Sequence, residues 1–392
     1  MTTKWLIIGC STAAAIFIIV VAVGMWFAAK SYTSFVRNMP GRPEVAAVLK
    51  TPKVLVGSDF LKGNALIKDD RLGSITDIAM GELDGRGKTL IGVASDEGAL
   101  FLNEKMEPVS FVPYGAAFQH VDIIDAENDG VCEFMARGSW MSNPGLFDHQ
   151  GKMLWSYGGK MPGVDDMAAG DIDGDGFLEF VVGFNGGGGV HLLDRHWKKK
   201  WSKSDGNVWH VEITDTNGDG KPEIVHSNAA GVIVVRDKDG NIISQHRPET
   251  YFSHFTLVNW PTRKDRMYPL LTGKGTAWIV NYDGKTLASF DAPALQDLGD
   301  TWGTLVKLKS GEKDYLAVLA AYRNFERSVL CVFDPTGKLA YEEVILETRQ
   351  AIAALPVNGA DTQTLLVGGE RRIWQYDLAK PSATTAKAPK KR

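Results

Sequence analysis

The acidic segment Asp171-Ile-Asp-Gly-Asp-Gly-Phe-Leu-Glu179 returns 44 residues later as Asp215-Thr-Asn-Gly-Asp-Gly-Lys-Pro-Glu223. It stands 46 residues earlier as Asp125-Ala-Glu-Asn-Asp-Gly-Val-Cys-Glu133, and another 43 before that in the worn form Glu82-Leu-Asp-Gly-Arg-Gly87. A fixed period of this length defines an architecture before any element is assigned, because a repeated unit buries its apolar face against copies of itself.

Each copy follows one grammar. An alternating apolar strand leads into the acidic glycine loop, a short apolar strand follows (180–183, 224–227), and a third and fourth are joined by an Asp/Asn-X-X-Gly turn. That turn recurs at Phe147–Trp155, Val235–Ile243, Asn281–Leu287 and Phe333–Leu339. Four strands per ~44 residues is one propeller blade, and the 42 glycines, above a tenth of the chain, suit many short strands with tight turns. Later copies keep the strands without the acids, around 255–260, 303–308 and 351–357. The expectation is an all-β, seven-bladed β-propeller over 54–378, with six or eight blades left open. The last copy stops after its third strand at 372–377, whereas the orphan strand Gly63-Asn-Ala-Leu-Ile67 precedes the first. The N-terminal piece should therefore complete the last blade and remove two exposed sheet edges.

One transmembrane helix is expected to precede the propeller. From Trp5 to Ala29 run 25 residues without a charged side chain, closed by Lys4 and Lys30. At 1.5 Å per residue this reaches roughly 38 Å, enough to cross a ~30 Å hydrocarbon core with tilt. Residues 1–30 read as an uncleaved signal anchor, since the run is long for a signal peptide and no A-X-A site ends it. Residues 31–53 read as a stalk and 379–392 as a disordered basic tail. Millimolar extracytoplasmic calcium would suit the loops described next, so the propeller is expected outside the membrane. Lys30, Arg37 and Arg42 weigh against that orientation.

A net charge of −4 over 43 basic and 47 acidic side chains gives no single-sign field and excludes nucleic acid as the main partner. Three scattered cysteines, Cys10, Cys132 and Cys331, exclude a disulfide framework.

Asp-X-Asp-X-Asp-Gly-X-X-Glu sets side-chain oxygens at alternate positions of a tight turn, and hard oxygen donors at such spacing suit calcium. The expected ligands are Asp171, Asp173, Asp175, Glu179 and the Phe177 carbonyl, and in the next copy Asp215, Asn217, Asp219, Glu223 and the Lys221 carbonyl. A third site at Asp125, Glu127, Asp129 and Glu133 is left open by the longer Glu127. Arg86 stands at the fifth ligand position of the first copy and predicts no metal there. The opposing reading is that all are acidic turns. Two calcium sites, or three, would be staples, because their ligands lie in one local loop.

Loops and blades of this kind resemble the FG-GAP/VCBS repeats of the integrin alpha-subunit propeller and its bacterial relatives. The resemblance covers about 325 residues. It implies calcium-binding loops between strands one and two on one face, and ligand recognition on the opposite face.

Five residues before each loop anchor, where the innermost strand begins, stand Asp77, His120, Asp166, His210 and His254. One reading is a polar ring that binds a ligand at the channel mouth; the other is a set of hydrogen bonds tying neighbouring inner strands. Arg137, Trp140, Tyr322 and Arg323 belong to irregular segments on the same face that suit protein or glycan recognition. The functional expectation is a non-catalytic binding or scaffolding module anchored by helix 5–29. A polysaccharide lyase-like enzyme, or an accessory subunit whose span packs in a larger membrane complex, is the alternative.

Overall fold

The computed structural model describes residues 53–113, 118–137, 144–157, 163–228, 230–248, 255–260, 266–296, 300–322, 325–357 and 360–379. The expected span 5–29 lies outside them, and among the described residues no helix is long and apolar enough to cross a membrane. The fold is a ring of seven antiparallel sheets, blades 1 to 7, at 75–113, 120–156, 164–203, 210–246, 256–291, 300–345 and 351–378.

Blade 7 takes three strands from the C-terminal end and its fourth, Leu61–Lys68, from the N-terminal end, paired with Arg372–Leu378. The orphan strand thus closes the ring, as its position after an incomplete last copy requires. Just before it, Lys53–Val56 pairs with Leu339–Ile345 as a fifth strand on blade 6. One N-terminal segment therefore clips two adjacent blades, joined at Gly57, whose φ of 71° only glycine takes without strain.

The third and fourth strands of blades 1 to 6 are linked by one turn. Asn103, Asp148, Asp194, Asp237, Asn281 and Asp334 each accept, on Oδ1, the N–H groups two and four residues on. The fourth residue is left-handed: Met106, Gly151, Trp197, Gly240, Gly284 and Gly337. A one-residue bulge follows in each fourth strand, the geometry of a type I turn with an added left-handed residue.

The core lies between blades, not within them. Apolar clusters fill the seams 1/2, 2/3, 3/4, 6/7 and 7/1. In seam 2/3, Trp197 is sandwiched between Trp155 and Phe180, both at 3.5 Å between ring centroids. Ring contacts His210–Phe255 and Phe290–Phe333 bridge seams 4/5 and 5/6. Close approach of inner strands needs small residues: a Cβ on Gly170 would stand 2.7 Å from Ile213 Cγ2 of the next blade. Strands one and two join on the acidic-loop face, and the His/Asp positions begin the inner strands on the other.

Candidate functional site

In each acidic loop the first aspartate is filled by the loop's own backbone. Asp125 accepts N–H groups from Asp129 and Gly130, Asp171 from Gly174, Asp175 and Gly176, and Asp215 from Asn217, Gly218 and Gly220. Glycines with φ between 79° and 86° at 174, 176, 218 and 220 permit the bend. The ninth-position glutamates 133, 179 and 223 are buried, and Oε2 of each accepts the N–H of the loop's second residue, Ala126, Ile172 or Thr216. Half of each glutamate thus closes its own loop, a task its spacing did not reveal.

Only in blade 3, among the described residues, do three ligand groups converge: oxygens of Asp171, Asp173 and Glu179 lie within 4.8 Å of one another. This all-oxygen set fits a hard cation. Asp175 is turned to the Phe177 N–H. In blade 4 the Asn217 amide nitrogen stands between Asp219 and Glu223 and donates to both, at 3.3 and 3.0 Å. Arg266 Nη2 also donates to the Asn217 carbonyl. In blade 2, burial raises the Glu133 pKa and repulsion from Asp129, Glu127 and Asp125 adds to it, although the Ala126 N–H works against the shift. In blade 1, the Arg86 N–H donates to Glu82 Oε1 and Asp84 Oδ1, which closes the turn without a fifth ligand.

On the opposite face the His/Asp positions meet in pairs across blades. Asp77 Oδ2 accepts the Val121 N–H at 3.1 Å and lies 3.0 Å from His120 Nδ1. Two blades on, Asp166 Oδ2 accepts the Val211 N–H at 3.0 Å and pairs with His210 Nδ1. A bulge at the head of each inner strand, between Ile75 and Asp77 and between Val164 and Asp166, turns the aspartate toward the next blade. Each imidazole meets a second carboxylate with Nε2: Asp122 for His120, Glu212 for His210, both at 3.2 Å.

The first clasp is part-exposed, with 29% of the His120 and 18% of the Asp77 side chain in solvent; in the second the figures are 4% for His210 and 1% for Asp166. Burial works against the imidazolium of His210, but Asp166 and Glu212 outweigh it and push its pKa up to about 9. Burial likewise opposes the Asp166 carboxylate, yet His210 and Arg137 hold it well below its ordinary value. His120 is raised well above its ordinary value by Asp122 and Asp77, again against desolvation.

Arg137 does not project from the mouth. Its Nε donates to Asp166 Oδ1 at 3.0 Å and its Nη1 to Gln119, so Asp166 joins blades 2, 3 and 4. Tyr322 is buried, its hydroxyl accepting the Gln296 N–H and donating to the Gln296 carbonyl. His254, Trp140 and Arg323 lie outside the described residues. A group that sequence spacing missed is buried in blade 4: Arg236 donates to Asp205, the Gly240 carbonyl and His226 Nε2. Burial lowers the His226 pKa to about 4, with Arg236 adding to the drop and Asp205 opposing it.

Residues 171–226 match the FG-GAP-like repeat. No curated protein matches the sequence. Among solved structures, BBS1N in its mercury-soaked complex with ARL6DN is similar at a TM-score of 0.59 and 12% identity, over 82% of this chain and 98% of that one. The lead-soaked crystal of the same complex gives 0.58 and 12%, over 84% and 99%. The Neurospora crassa Pan2 WD40 domain gives 0.53 and 9%, over 84% and 98%. Identities this low speak to fold alone. Seven closed blades, acidic loops between the first and second strands of blades 1 to 4, and the match over residues 171–226 make this chain a seven-bladed β-propeller that carries an FG-GAP-like repeat.

Proposed function

We propose that the chain is a non-catalytic protein-binding scaffold, stapled by calcium and held at a membrane, on its extracytoplasmic side, by helix 5–29. The observation that carries the non-catalytic part is the pairing at the channel mouth. General acid–base chemistry needs a titratable group free to exchange a proton with substrate. Here Asp77, His120, Asp166, His210 and Arg137 hold one another across blade seams. Such bonds recur because the architecture recurs. For protein binding, the support is that BBS1N, similar in fold, was crystallised in complex with ARL6DN. In the proposed staples, Asp171, Asp173 and Glu179 would hold calcium, with weaker sets in blades 2 and 4, and the ion would neutralise carboxylates that otherwise repel.

The test uses the full chain in mild detergent. Metal analysis should find about two calcium ions, and chelator should lower the melting temperature, since an ion bound only by the folded state stabilises it. Incubation with polyuronides should release no product. Cleavage that disappears in His120→Ala or His210→Ala would replace the scaffold with an enzyme.

A further inference from the structure

The fourth-strand bulge places an equivalent extra residue in six blades: Val109, Leu154, Lys200, Ile243, Leu287 and Ala340. Four of these are aliphatic side chains left 42–56% exposed. Blade 3, the blade with the most complete acidic loop, has lysine. Its ammonium reaches back to the loop of its own blade, 2.8 Å from Asp173 Oδ2 and 3.4 Å from Glu179 Oε1. The hydrogen bond from Lys200 is the largest influence on Asp173 and lowers its pKa against the effect of burial. Glu179 is raised by burial, with Lys200 opposing the rise.

We infer that Lys200 is a built-in cation for the blade 3 loop, which keeps the loop closed without a divalent ion and must be displaced before one binds. A bulge leaves one residue unpaired and re-aims its side chain, at the cost of a local break in the ladder. Here it puts a positive charge beside the Asp173 and Glu179 carboxylates, so the lysine and a metal compete for the same oxygens. Among the described residues no lysine or arginine pairs with Asp125, Glu127, Asp129 or Glu133, so the blade 2 loop has no such counter-ion. The competition with metal rests on the calcium reading above; the counter-ion role does not.

The experiment melts the full chain, Lys200→Met and Leu154→Lys, each in chelator and in millimolar calcium, with calcium affinity measured by titration. Lys200→Met should melt about 1–2 °C lower in chelator, recover in calcium, and bind the ion about tenfold more tightly at blade 3. Leu154→Lys, at the exposed equivalent position of blade 2, should melt higher in chelator and respond less to calcium. Asp173→Asn separates charge from packing: it should lower the melt of the parent chain and raise that of Lys200→Met. Loss in Lys200→Met without recovery in calcium would leave the counter-ion standing and remove the metal. Equal melts for Lys200→Met and the parent in chelator, or the same sign for Asp173→Asn in both backgrounds, would overturn the inference.

Discussion

Replacing Asp166 by Asn keeps shape and removes one charge, and its effect can be scaled from the structure. Asp166 accepts four donors: the N–H groups of Met167 and Val211, Arg137 Nε and His210 Nδ1. The Asn side chain has one acceptor oxygen and turns an N–H₂ toward groups that themselves donate. Removing one partner of a buried ion pair costs about 3–5 kcal/mol, because the remaining charge stays buried and unpaired. A ring of this size has an unfolding entropy of about 0.7 kcal/mol per kelvin, so the melting temperature should fall by about 4–7 °C. Asp77→Asn breaks the same pattern in the part-exposed clasp, where water can take over. It should cost only about 1 kcal/mol, or 1–2 °C. Thermal melts near neutral pH decide the matter. Equal losses in the two variants would refute the idea that clasp strength follows burial.

Linkage gives a pH profile. Because the His210 pKa is raised to about 9, its clasp contributes fully below the unfolded value near 6.5 and is lost as pH rises through about 9. His226 and His191 are lowered to about 4, so the folded state resists protons that the unfolded chain accepts, and stability falls as pH drops from 6.5 toward 4. Melting temperature should peak between those limits, and His210→Gln should flatten the alkaline side; an unchanged alkaline side would count against the clasp. A chain starting at residue 69 lacks the strands on blades 6 and 7 and should elute as aggregate in size-exclusion chromatography, whereas a monomer would show that closure is dispensable. Trp197→Gly relieves a left-handed residue worth about 1 kcal/mol but loses a two-sided aromatic sandwich worth about 3–5, so melting should fall by about 3–6 °C; a gain would mean that strain dominates.

Blade number and ring closure were legible because repetition converts a count of strands into topology. The copy ending at 377 was one strand short, and Gly63–Ile67 supplied it. Four of the six hairpin turns announced themselves by glycine at the left-handed position. The turns at Asn103 and Asp194 did not, since Met106 and Trp197 occupy that position and are held there by tertiary packing. Their legible signal was the Asn or Asp at the first position, whose oxygen organises the turn whatever comes fourth. The fifth strand Lys53–Val56 straddles the expected boundary between stalk (31–53) and propeller (54–378), and its pairing with blade 6 was not foreseen. Four residues added to an edge draw their pairing from the partner's backbone, and their own side chains need carry no pattern.

At the site, register found the right residues and could not say what they face. Asp77, His120, Asp166 and His210 stand out because they recur at one offset from the loops. Whether they line a channel or bind each other depends on the bulges at Asp77 and Asp166, where one extra residue interrupts the pairing at a point that the loop spacing does not mark. The loops show the complementary limit. Spacing inside Asp171–Glu179 names oxygen donors, but the charge beside them comes from Lys200, 21 residues past Glu179 and aimed by a bulge of its own. A local motif therefore fixes which atoms could bind a cation, while the cation those atoms meet is set by the neighbouring strands. Lys200 at the fourth-strand bulge of blade 3 stands where Leu154 stands in blade 2, so the two loops meet different side chains at that position.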